Sequence, residues 1–116
     1  MVLEIDYEPK ARPLRIGVYT DSLPDTKRNF NELCRRSGAE IAMETLNWIL
    51  LRDETKFIFL TRRTPSYYLK GRLFDQWMID SNYLSGAVPY PIWDEMVWSL
   101  RFSSVPEDYR IRYTKM

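Results

Sequence analysis

The sequence predicts a single α/β domain: a small, mainly parallel β-sheet with about two helices. Three observations carry this expectation. Residues 14–20 are rich in β-formers and run directly into a capped, amphipathic helix pattern, which is half of a βαβ unit. A second apolar stretch, residues 74–80, ends on a carboxylate and leads through a Gly- and Pro-containing loop into another helix pattern. The 116 residues, 45% hydrophobic and 15% aromatic, suffice for one core and not for two. The domain is therefore taken as residues 1–116, with 1–13 as an N-terminal strand and connector.

The elements follow in order. Residues 2–7 alternate apolar and acidic side chains and read as a short strand; Pro9 and Pro13 bracket a basic connector. Leu-Arg-Ile-Gly-Val-Tyr-Thr at 14–20 is the first core strand. Asp21 and Ser22 are N-cap candidates, and Pro24 suits a first helical turn, where its missing N–H would have no partner anyway. A helix over 24–36 places Phe30, Leu33 and Cys34 on one face. It leaves Lys27, Arg28, Arg35 and Arg36 for solvent or a partner, and stops at Gly38. Residues 39–51 carry two readings: a second helix, from their helix formers, or part of a hairpin in which 48–51 turns through Arg52, Asp53 and Glu54 into 55–60. Residues 57–60 are a strand on both. Residues 61–71 form a polar loop, 74–80 a strand, and 81–89 another loop. Pro91 opens a helix to about Phe102 with Ile92, Met96 and Leu100 inward. In residues 109–114, Tyr109, Ile111 and Tyr113 alternate with Arg110, Arg112 and Thr114, predicting a strand with one buried and one wet face.

Composition excludes several functions. Lys+Arg 17 against Asp+Glu 16 gives a net charge of +1, so no global field marks a nucleic-acid binder. The chain has no histidine, the commonest general base and metal ligand. One cysteine, Cys34, allows neither an intramolecular disulfide nor a thiolate zinc cage. Residues 1–8 lack the basic start and apolar stretch of a secretory leader. No run approaches the roughly 18 apolar residues of a membrane span. The expectation is a cytoplasmic protein with no membrane partner, no cofactor and no small-molecule substrate.

Leu69-Lys70-Gly71-Arg72, then Phe74-Asp75 and Met78-Ile79-Asp80, resembles the second ATPase motif of phage terminase large subunits and helicases. Residues 47–61 look like the hairpin preceding that motif in the family, 14–33 like the strand and helix after its phosphate loop, and 109–114 like its third-motif strand. Together these short motifs cover most of residues 14–114. The resemblance implies a degenerate P-loop NTPase core, of the kind a phage-encoded protein in the host cytoplasm would carry. The departures bear on chemistry. No Gly-x-x-x-x-Gly-Lys-Ser/Thr occurs, so there is no phosphate cradle. Asp80-Ser81 stands where the family has Asp-Glu, so the residue that positions water is missing.

The remaining constellations are few. Asp21 and Asp80 would both lie at the carboxyl edge of a parallel sheet and could form a two-carboxylate Mg²⁺ site; an N-cap and a strand end are the plainer roles. The loop carrying Arg62, Arg63, Tyr67, Tyr68, Lys70 and Arg72 interleaves cations with rings, a pattern suited to phosphates and bases as well as to a protein partner. Cys34 is read as core. Of the four tryptophans, Trp98 falls off the inward stripe of its helix and is the interface candidate. The sequence therefore predicts a non-enzymatic interaction protein, without catalytic, cofactor-binding or metal residues, that contacts a protein partner or itself. The alternative is an accessory nucleic-acid binder using the basic-aromatic loop.

Overall fold

The computed structural model describes residues 13–84 and 86–115. The strand expected at 2–7 and the connector up to residue 12 lie outside the described residues. The chain runs β1 (Arg15–Tyr19), α1 (Leu23–Ser37), β2 (Ile41–Glu44), β3 (Trp48–Leu51), β4 (Lys56–Leu60), β5 (Gln76–Asp80), α2 (Tyr90–Ser99) and β6 (Ile111–Thr114). Short 3-10 helices form at Ser66–Leu69 and Glu107–Tyr109.

All six strands join one sheet in the order β2-β3-β4-β1-β5-β6. β1 lies parallel between β4 and β5, and β6 is parallel to β5. β3 runs antiparallel to β4, and β2 antiparallel to β3. The α/β class and the two helices match expectation. The sheet, however, is mixed rather than mainly parallel, because residues 39–51 add two antiparallel strands. The helical reading of that segment loses to turn chemistry. The Thr45 hydroxyl accepts the Asn47 and Trp48 N–H groups at 3.3 and 3.2 Å, closing a turn that a helix would have to open. Ile49 and Leu51 are then buried on alternate strand positions. At the β3–β4 turn, Asp53 Oδ1 accepts the Thr55 N–H at 2.9 Å, and Glu54 takes the left-handed conformation at φ 73°.

Both faces of β1 and its neighbours are covered, as parallel strands require. On one face α1 packs Phe30 and Cys34 onto Ile16, Val18, Phe57, Phe59 and Met78. The Phe30 ring meets Phe57 at 4.6 Å and Phe59 at 5.6 Å between centroids, both edge-on. On the other face α2 and the first 3-10 helix cover Tyr19, Ile58, Leu60, Trp77 and Ile79 with Leu69, Ile92, Met96 and Leu100. α1 begins with Pro24 in its first turn and ends at Gly38, which takes φ 77°. Among the described residues β6 is the last strand at its edge of the sheet. The buried face expected along 109–114 is only partial: Ile111 is half-buried, and Tyr113 is 58% exposed because no further layer covers the edge among the described residues.

Candidate functional site

β1, β4, β5 and β6 point their carboxyl ends one way, and the two expected carboxylates lie at that edge in different roles. Asp21 holds Arg62 in a two-pronged pair, Nε to Oδ1 at 3.2 Å and Nη2 to Oδ2 at 3.1 Å. Arg62 also donates to the Ala87 carbonyl at 3.1 Å, so it ties the ends of β1 and β4 to the loop before α2. A shallow cavity of about 590 Å³ opens beside this pair, between the start of α1 and Arg63. Tyr19, at the end of β1, is fully buried; burial raises the pKa of its phenol, against the opposing pull of Arg62.

Asp80 turns inward and is fully buried. Thr26 Oγ1 lies 2.5 Å from Asp80 Oδ2 and 2.8 Å from Thr20 Oγ1. A hydroxyl has one proton to give, so Thr26 donates to the carboxyl group and Thr20 donates to Thr26. Asn82 N–H donates to Asp80 Oδ1 at 3.1 Å. Among the described residues no group of three or more His, Cys, Asp or Glu side chains is placed to hold a metal ion. Cys34 is buried, and desolvation followed by the Glu44 charge pushes its thiol up to about 11.

The basic-aromatic loop separates into parts. Arg62 and Arg63 stay at the carboxyl edge. Tyr67 projects into solvent, whereas Tyr68 is half-buried and Leu69 is core. Lys70 is exposed. Arg72 stacks on Tyr68, its guanidinium 4.1 Å from the ring centre, and its Nε donates to the Tyr68 carbonyl at 2.7 Å. Trp98 stands apart on α2, 61% exposed. Arg101 packs against it at 4.7 Å and against Phe102 at 5.3 Å; Phe102 is itself 70% exposed. The three side chains make an aromatic–arginine face at the end of α2.

A further grouping, absent from the sequence reading, forms at the opposite, amino edge of the sheet. Arg15 and Lys56 are register partners on β1 and β4. They line a cavity of about 600 Å³ together with Leu73, Phe74 and Phe102. The residues are 41 positions apart, and only the parallel pairing brings them together; nothing local in the sequence announces it.

No protein-family model matches the sequence, and no curated protein matches it. No helix among the described residues is long and apolar enough to cross a membrane.

Proposed function

We propose that the protein is a non-enzymatic interaction protein that docks a protein partner, or a second copy of itself, through the aromatic–arginine face at the end of α2. The observation that carries this is the exposure of Trp98, 61%, and Phe102, 70%, on either side of Arg101. Exposed aromatic and arginine side chains are the residue types that anchor interfaces. The chemistry elsewhere supports a non-catalytic role: the chain has no histidine, Cys34 is buried with its thiol pKa raised, and Asp80 is held inside by Thr26 and Asn82. Read with the terminase- and helicase-like motifs, the protein is a phage-encoded one acting in the host cytoplasm, on a core without a phosphate cradle.

Benzoylphenylalanine in place of Trp98 or Phe102 tests the reading, with the same residue in place of exposed Asp53 as the control. Ultraviolet irradiation of the cells that make the protein should give discrete protein adducts from positions 98 and 102 and none from 53. Adducts from all three positions alike overturn the proposal. So does their absence everywhere with a purified chain that sediments as a monomer.

A nucleic-acid reading has its own support in Arg72 stacked on Tyr68 beside exposed Lys70 and Tyr67. On this reading DNA or RNA binds and falls off steeply with salt.

A further inference from the structure

The cavity at the amino edge of the sheet gathers positive charge onto apolar walls. Arg15 lies over the Phe74 ring at 5.8 Å, and Lys56 over the Trp48 ring at 4.4 Å. Arg72, on Tyr68, is near enough to act on Lys56: burial, then Arg15, then Arg72 pull the lysine's pKa down. Like charges at paired positions on neighbouring strands oppose folding. Some surface cations are neutralised: Arg28, Arg35, Arg52 and Arg62 each pair with a carboxylate. Arg15, Lys56 and Arg72 form no ion pair among the described residues. Beside them Leu73 is 40% and Phe102 70% exposed, so the cavity sets apolar surface next to the two cations that line it, Arg15 and Lys56.

A ligand that complements this must carry negative charge next to an apolar group. Two carboxylates in the wall limit how dense that charge can be. Glu54 lines the cavity, and Asp75 sits buried at its back, accepting the Arg15 N–H at 2.7 Å. A polyphosphate backbone, charged at every nucleotide, meets both; isolated carboxylates spaced by apolar side chains can avoid them. The net charge of the chain, +1, adds no long-range pull on a polyanion. The volume, about 600 Å³, is in the usual range for a ligand pocket.

We infer that this cavity docks an acidic segment of a partner protein in which a glutamate or aspartate stands next to an aromatic or aliphatic side chain. The inference rests on the reading of the chain as an interaction protein and names the chemistry of the partner. It is tested without that partner. The probe is a dye-labelled hexapeptide alternating glutamate with phenylalanine, followed by fluorescence anisotropy against the full chain. Controls are the same peptide with glutamine for glutamate, and a dye-labelled oligothymidylate. The glutamate peptide should bind saturably, and the glutamine peptide about tenfold more weakly or worse, the loss expected for a charge-assisted contact. Lys56→Gln with Arg72→Gln should weaken the glutamate peptide by a similar factor, and Glu54→Gln, which removes the repelling carboxylate, should tighten it. Circular dichroism checks the fold of each variant, and the opposite sign expected for Glu54→Gln keeps the test decisive if the double variant unfolds.

Equal binding of the two peptides, or binding that ignores both substitutions, overturns the inference. Preference for oligothymidylate assigns the cavity to nucleic acid and also overturns it. Binding that appears only after deletion of residues 1–12 gives the site to the chain's own segment and likewise overturns the inference. Peptide failure alongside position-specific cross-linking at Trp98 and Phe102 removes this inference and leaves the interaction reading standing.

Discussion

The benzo ring of Trp77 occupies the space where a side chain at Gly17 would stand. A Cβ at Gly17 would come closer than 3.0 Å to Cζ3, Cε3 and Cη2 of the indole. The two residues are register partners on β1 and β5. The indole cannot simply back away. Its Nε1 donates to Ser99 Oγ at 2.9 Å, Ser99 Oγ donates in turn to the Met96 carbonyl at 2.6 Å, and Phe74 packs on the ring at 4.6 Å. Glycine in the middle of a strand normally weakens it; here it makes room for the side chain that fixes α2 to the sheet.

Gly17→Ala should therefore destabilise the fold by about 1–3 kcal/mol, the cost of overpacking a filled core. Urea denaturation measures it. Combining Gly17→Ala with Trp77→Leu should cost less than the sum of the two single changes, since the smaller side chain removes the clash. A parent-like urea midpoint for Gly17→Ala would show that the indole shifts freely.

Phe30 tests the other face. Its ring is fully buried between Phe57 and Phe59, so Phe30→Ala should cost roughly 3–5 kcal/mol through the cavity it leaves. Arg63→Ala, an exposed change, should stay within about 0.5 kcal/mol. Thermal melts of the two variants, run side by side, would contradict the assignment of the α1 face if they coincided.

These two faces also mark how far the sequence could be read. α1 was legible because its signals are local: Pro24 near the start, Gly38 at the end, and Phe30 and Cys34 one turn apart. β1, β5 and α2 were legible within a few residues for the same reason. Residues 39–51 were ambiguous, because their helix formers compete with a turn decided by one hydroxyl, Thr45. The alternation at 109–114 suggested a buried face, but alternation cannot tell an edge strand from an inner one, and Tyr113 ended exposed. The exposure of Trp98 was readable from helical spacing. The Arg15–Lys56 pairing was not, since it depends on which strands become neighbours.

Cys34 should be inert in the native protein. Burial raises its thiol from an ordinary 9.0 to about 11, and the side chain is 1% exposed. Alkylation by iodoacetamide at neutral pH should be far slower than in urea, where the thiol is free. The sign of the pH effect follows from the same shift. The folded thiol holds its proton more tightly than the unfolded one, so its contribution to stability is complete below about 9 and declines between 9 and 11. Cys34→Ser should lose that alkaline slope. Native alkylation as fast as in urea would place the thiol at the surface.

If the proposed likeness of residues 69–80 to an ATPase motif extended to chemistry, Asp80, which ends the strand, would serve a metal and a nucleotide. Here it belongs to a buried chain of polar groups: Thr20 donates to Thr26, and Thr26 donates to Asp80, joining the ends of β1 and β5 to the first turn of α1. Thr26→Val keeps the shape and removes the donor. It should cost about 1.5–3 kcal/mol, the worth of a hydrogen bond to a charged group left without its partner. A purely structural role also predicts that Mg²⁺-ATP gives no saturable heat in isothermal titration of the parent protein. Saturable binding of ATP that Asp80→Ala abolishes in a still-folded chain would mean that the carboxyl group turns outward to work as the motif implies, and that the Thr20–Thr26–Asp80 chain is one of two states.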